Sequence, residues 1–193
     1  MDPATERDLV DRLRRGDGDA FDSIYVAFRA PIYGFLARLS GRRDLAEELL
    51  QETFVRLAAK ATTLREDTRL GAWLYTVARN LHLSHARMTA LDSERVDRAS
   101  LEDPARPPTP FEEAAANQTQ LALERALASL PASYREVLLL VAVDRMEPGE
   151  AALVVGVNPE TLRQRLSRAR TMMKDALASS SPQPRRRAAG ESA

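Results

Sequence analysis

Gln164, Ser167, Arg168 and Thr171, flanked by Arg163 and Arg170, project away from a stripe of apolar residues at Leu162, Leu166, Ala169 and Met173. With 3.6 residues per turn, that spacing gives a helix with one buried face and one face of arginine, glutamine and hydroxyl groups. Arginine offers a planar donor fork to guanine O6 and N7, and glutamine pairs with adenine N6 and N7, so the polar face suits base edges in a major groove. A salt-bridged surface helix would carry matching carboxylates. Between residues 160 and 174 only Glu160 stands against Arg163, Arg165, Arg168, Arg170 and Lys174.

Two further constellations lie upstream. Arg69, Thr76, Asn80, Leu83 and Arg87 project along one side of a helix expected over 69–88, with Arg79 on its flank and Leu70, Trp73, Leu74, Val77, Leu81 and Met88 facing inward. Cations mixed with amide and hydroxyl groups suit phosphate and base contacts. On the preceding helix, expected over 44–59, Asp44, Glu48, Gln51 and Glu52 gather opposite the apolar Ala46, Leu49, Leu50, Phe54 and Leu57. Such a face is either a solvated helix side or a docking surface for a basic partner.

Other chemistries are poorly supplied. The chain has no cysteine and two histidines. His82 and His85 stand three apart, but without a carboxylate motif they make a poor metal site, and no metal or other cofactor is expected. No set of acid, base and nucleophile converges, so no catalytic residues are assigned. Gly16-Asp17-Gly18 is too short for a phosphate loop.

The elements that must position these faces are all helical. The 193 residues are 44% hydrophobic but only 5% aromatic, a balance favouring helices over strands. From Phe21, apolar residues recur at Ile24, Tyr25, Phe28, Ile32, Phe35, Leu36 and Leu39, with Asp19 or Asp22 as cap and Pro31 predicting a kink or two helices that share a face. In the second half a helix over 117–129 carries Leu121, Leu123, Leu127 and Leu130. Ser133 and Glu136 then read as a capping box. A short helix over 148–155, Gly156 as turn, Asn158 as N-cap and Pro159 at the first helical position complete a helix-turn-helix.

Between the halves, residues 89–116 hold three arginines against seven carboxylates, with Pro104, Pro107, Pro108 and Pro110. That composition predicts an extended acidic linker. The expected organisation is all-α: two small helical domains at 5–88 and 117–178, joined by the linker and followed by a disordered tail at 179–193. The longest uncharged apolar run, 137–143, is too short to span a bilayer. The acidic start Met1-Asp2-Pro3 is unlike a signal peptide, so a soluble, cytoplasmic protein is expected.

Four strings carry a family resemblance. Asp44-Leu-Ala-Glu-Glu-Leu-Leu-Gln-Glu-Thr-Phe54 and Gly71-Ala-Trp-Leu-Tyr-Thr-Val-Ala-Arg-Asn80 resemble region 2 of bacterial extracytoplasmic-function (ECF) RNA polymerase sigma factors. Leu130-Pro-Ala-Ser-Tyr-Arg-Glu-Val-Leu138 and Thr161-Leu-Arg-Gln-Arg-Leu-Ser-Arg-Ala-Arg170 resemble region 4. The resemblance implies a promoter-specificity subunit that binds core RNA polymerase at the β′ clamp coiled coil and the β flap, and is usually restrained by an anti-sigma protein. It places Asp44, Glu48, Gln51 and Glu52 on the clamp. Arg69, Trp73, Thr76, Arg79, Asn80 and Arg87, with loop 62–69, fall at the −10 element, where an unstacked base is captured. Thr161, Arg163, Gln164, Ser167 and Arg168 fall at the −35 element. The acidic linker would thread the basic channels of the polymerase as a nucleic-acid mimic.

Departures from the family pattern are Ser84 in place of a common aspartate, Met146-Glu147-Pro148-Gly149 at the helix-turn-helix entry, Asn158-Pro159-Glu160 in its turn, and Gln164 in place of a common serine. The −35 preference is therefore not transferable from relatives. A stand-alone helix-turn-helix regulator would need neither the acidic face of 44–52 nor the 71–80 segment, and a small helical enzyme would need a catalytic set.

Overall fold

The computed structural model describes residues 3–95 and 118–180, all helix, turn or short connection with no strand among them. The first unit is α1 (Pro3–Arg14), α2 (Gly18–Ser40), α3 (Arg43–Lys60), a 3-10 turn at Ala61–Thr63, and α4 (Leu70–Arg95). The second is α5 (Gln118–Ser129), α6 (Ala132–Leu138) extended by a π turn at Leu139–Val143, α7 (Pro148–Val155) and α8 (Pro159–Ser180).

Local chemistry explains the boundaries. Asp17 caps α2, its carboxylate accepting the backbone N–H of Asp19 at 2.9 Å and of Ala20 at 3.4 Å. The cap is therefore Asp17 rather than Asp19 or Asp22, which already lie inside the helix. Gly41 ends α2 at φ 71°, its N–H bonding Ala37 O at 2.9 Å. The α7–α8 turn uses the same device. Gly156 sits at φ 72°, and its N–H meets Ala152 O at 2.9 Å. Asn158 Oδ1 then accepts the Thr161 N–H at 2.7 Å and opens α8, as its sequence position predicts.

The core follows the apolar stripes. Ile24, Ile32, Phe35 and Leu36 of α2 pack with Leu57 of α3 and with Leu70 and Leu74 of α4, all fully buried. Leu130, Leu139, Leu140 and Leu162 form the centre of the second unit. Each such side chain contributes about 1.5–3 kcal/mol relative to exposure. Phe35 and Tyr75 meet edge to face with centroids 5.3 Å apart.

Several expectations change. α1 was not foreseen, yet Leu9, Val10 and Leu13 are buried. α2 is one helix through the exposed Pro31, not two helices sharing a face. Met88 is 66% exposed rather than inward, because α4 continues past it to Arg95 and outlasts the packing surface. Tyr25 and Leu123 are likewise exposed. α6 starts after Pro131 without a side-chain cap, so Ser133 and Glu136 form no capping box. The expected linker and tail lie outside the described residues, apart from 89–95 and 179–180.

Candidate nucleic-acid interface

The two units are in contact, and α7 of the second lies along α4 of the first. This packing sorts the three polar faces into two that are open and one that is engaged.

The outward face of α8 is open. Arg163, Gln164, Ser167 and Arg168 are exposed, while Leu162, Leu166, Ala169 and Met173 are buried behind them. Thr161 is half-buried. The face is loosely organised by its own first turn: Glu160 pairs with Arg163 at 2.7 Å and accepts from Gln164 Nε2 at 3.4 Å. Glu160 thus holds two of the predicted base-reading side chains, a contact that its place in the turn alone did not reveal.

The acidic face of α3 is also open. Asp44, Glu48 and Gln51 are exposed and Glu52 is half-exposed. Arg42 bonds Asp44 at 2.5 Å, holding its carboxyl below the usual carboxylate range, and Arg56 pairs with Glu52 at 2.9 Å. The Asp44 carboxyl therefore stays ionised, and the face is open to solvent.

The α4 face is partly occupied by the second unit. Arg79, only 16% exposed, donates from Nε to Glu136 Oε2 at 2.7 Å and from Nη2 to Oε1 at 3.2 Å, and the Glu136 side chain is 6% exposed. Arg69 pairs with Glu150 of α7. The Tyr75 hydroxyl hydrogen-bonds Asp144, whose carboxyl is pushed up to about 6 by burial. Arg38 bonds both oxygens of Glu124, at 3.0 and 3.2 Å, and Arg135 reaches back to the carbonyls of Arg38 and Leu39 at the end of α2. Asn80 and Arg87 remain exposed, whereas Trp73 and Thr76 are half-buried, with Thr76 Oγ1 donating to Ala72 O at 2.7 Å. Sequence reasoning did not find Glu136, Glu150 or Asp144; pairing across such sequence distance has no periodic signal.

Beside α4, a cavity of about 280 Å³ is lined by Glu6, Arg7, Asp67, Thr68 and Arg69. Glu6 of α1 accepts the Gly71 N–H at 2.9 Å and so pins the first turn of α4 against this cavity. Burial and the nearby charges of His85, Arg135 and Arg79 lower the His82 pKa, which keeps its ring neutral in neutral solution. Among the described residues no three potential ligands cluster around a metal position.

Comparison with known proteins agrees with this geometry. The Sigma-70 region 2 family model matches residues 24–90 and the Sigma-70, region 4 model matches 120–173. The chain is 31% identical over 173 residues to the RNA polymerase sigma factor CarQ of Myxococcus xanthus, covering 87% of this chain and 95% of that one. It is 30% identical over 165 residues to the ECF RNA polymerase sigma factor EcfG of Rhodopseudomonas palustris, covering 86% and 84%. Among solved structures, the sigma factor RpoE in complex with the anti-sigma factor NepR, from Bartonella quintana, superposes with TM-score 0.72 at 26% identity, over 83% of this chain and 98% of that one. CnrH, in complex with the cytosolic domain of CnrY, shares the fold with TM-score 0.69 at 22% identity, over 92% and 99%. The two matched regions, the helix-turn-helix and the relatives aligned along most of their length lead to one conclusion: the chain belongs to the ECF family of RNA polymerase sigma factors, which direct promoter-specific initiation of transcription.

Proposed function

We propose that this sigma factor reads the −35 element with Thr161, Arg163, Gln164, Ser167 and Arg168 of α8, and the −10 element with Arg69, Trp73, Thr76, Arg79, Asn80 and Arg87 of the α4 side. The observation that carries the reading is the α8 helix itself, with a fully apolar buried face and an exposed face of arginine, glutamine and serine. The polar cavity beside Asp67, Thr68 and Arg69 supports capture of an extruded base, since unstacking costs a few kcal/mol that a fitted pocket offsets. Asp44, Glu48, Gln51 and Glu52 dock on the β′ clamp coiled coil, and the second unit meets the β flap. The functional divisions are 5–88 for docking and −10 recognition, 89–116 as the acidic connector, 117–178 for −35 recognition, and 179–193 as tail.

The chain contributes recognition and no catalytic group of its own, and it works in the cytoplasm with the chromosome and core enzyme. No described helix is long and apolar enough to cross a membrane. An anti-sigma protein regulates it, a reading supported by its likeness to the RpoE–NepR complex. The test is multi-round transcription by core RNA polymerase on randomised promoters, with and without the protein. Transcripts sharing −35 and −10 motifs at fixed spacing are expected. Transcripts without such motifs, or none together with no co-elution of the protein with core enzyme, overturn the reading in favour of a stand-alone duplex-binding regulator.

A further inference from the structure

The cavity beside α4 has a wall that the −10 assignment leaves out. Glu6 and Arg7 line it from α1, together with Asp67, Thr68 and Arg69 of the loop ahead of α4. Its charged groups differ in what already holds them. Asp67 accepts two hydrogen bonds from Arg65, at 2.9 and 3.1 Å, and Arg69 pairs with Glu150. Arg7 is exposed and makes no ion pair among the described residues. Glu6 gives Oε1 to the Gly71 N–H at 2.9 Å, and among the described residues no cation pairs with its carboxylate. We propose that α1 is a specificity element of the −10 contact: Glu6 and Arg7 read the Watson–Crick edge of the extruded base and select one that carries both an amino donor and a carbonyl acceptor, cytosine or guanine.

Three observations give α1 this role. First, α1 seats the loop at both ends. Arg14 pairs with Glu66 at 2.9 Å, the Glu6 carboxylate holds the Gly71 N–H, and Leu64 of the loop is buried, as are Leu9, Val10 and Leu13 of α1. The wall and the loop therefore keep a fixed spacing, as a pocket that discriminates between bases requires. Second, the cavity of about 280 Å³ lies just below the range of pockets for drug-sized ligands, about 300–1,000 Å³, and suits a single base. Third, the two side chains are complementary to two different groups. Neighbouring residues on a helix project about 100° apart, so a carboxylate and a guanidinium reach the ligand from two directions. The carboxylate accepts from an exocyclic amino group, as it does from cytosine N4, and the guanidinium donates to a carbonyl oxygen. Cytosine and guanine carry both groups on one edge. Adenine has no carbonyl and thymine no amino group, so each leaves one of the two charges without its partner, which is costly away from water.

The inference rests on the −10 reading above, and its test tells the two apart. Core RNA polymerase with the full-length chain transcribes a promoter library randomised through the −10 region, and the transcribed promoters are sequenced. With the wild type, one −10 position is expected to hold cytosine or guanine. Arg7→Ala should cut the preference for that base over adenine about tenfold and leave the other positions as they were. Glu6→Gln keeps an oxygen for the Gly71 N–H but turns the other acceptor into an amide donor, so it should shift the same position toward thymine. Arg15→Ala, which removes an exposed cation just past the far end of α1, should change no base preference. A −10 motif of adenine and thymine alone overturns the proposal. So do Arg7 and Glu6 variants that change nothing, or that lower transcription evenly across all promoters, the behaviour of a brace that touches no base. Arg7 is exposed, so Arg7→Ala stays folded and decides the outcome even if Glu6→Gln loosens α4. A wild type whose transcripts share a −35 motif but no −10 motif sinks the −10 reading itself, and this inference with it.

Discussion

Glu160 shows what a single side chain adds to the α8 face. It lies in the first turn, where a carboxylate complements the helix dipole, and it also ties down Arg163 and Gln164. Exposed pairs of this type are worth at most about 1 kcal/mol, so the effect belongs to recognition and not to folding. Glu160→Ala should leave unfolding by urea within about 0.5 kcal/mol of wild type, while changing the −35 motif recovered from a promoter library and leaving the −10 motif intact. An unchanged −35 motif would contradict it. Glu6 has the opposite character. Its carboxylate satisfies an otherwise orphan N–H of α4 from a helix far away in sequence, so Glu6→Ala should cost about 1–2 kcal/mol in urea unfolding and loosen the loop ahead of α4. That contact was illegible beforehand because α1 itself was: Leu9, Val10 and Leu13 are too few apolar residues to announce a helix before its packing partners are known.

At the scale of elements, legibility tracked local chemistry. The helix-turn-helix was readable because every device in it is short-range: Gly156 at positive φ, Asn158 as cap, Pro159 at the first position and a clean apolar stripe in α8. Asn158→Ala is therefore expected to cost about 1 kcal/mol. Gly156→Ala, forced into a left-handed backbone, should cost about 1–2 kcal/mol. Both should lower −35-dependent transcription, and thermal unfolding of the full chain checks the stability values. The α3 acidic face was equally readable, since it is set by helical projection alone. α6 failed for a corresponding reason. Ser133 and Glu136 have the spacing of a capping box, but Pro131 takes the cap position and Glu136 is drawn to Arg79 across the molecule. A local motif lost to a long-range ion pair, which no window of sequence contains.

The whole molecule adds a pH dependence that no single element has. Asp144 follows the π turn, and Arg145, at φ 54°, ends the helix there. The carboxyl faces Tyr75 of α4, whose hydroxyl bonds it, and Arg38 of α2, whose charge favours its ionised form. Desolvation nonetheless prevails and raises its pKa from 3.8 to about 6. Its Oδ2 is buried without a partner. Because the closed, folded chain binds this proton more tightly than the open or unfolded chain, Asp144 favours the closed state in acid. That contribution is lost as pH rises from about 4 through about 6. His82 works the other way, since charging it beside Arg79 and Arg135 costs stability on acidification. Asp144→Asn removes the first titration and leaves the second. Between pH 5 and pH 7 the Tm of the wild type should therefore fall more, or rise less, than that of Asp144→Asn, and calorimetry across that range measures the difference. Parallel curves for the two proteins would show that Asp144 titrates as a solvated carboxylate and that the units do not close over it.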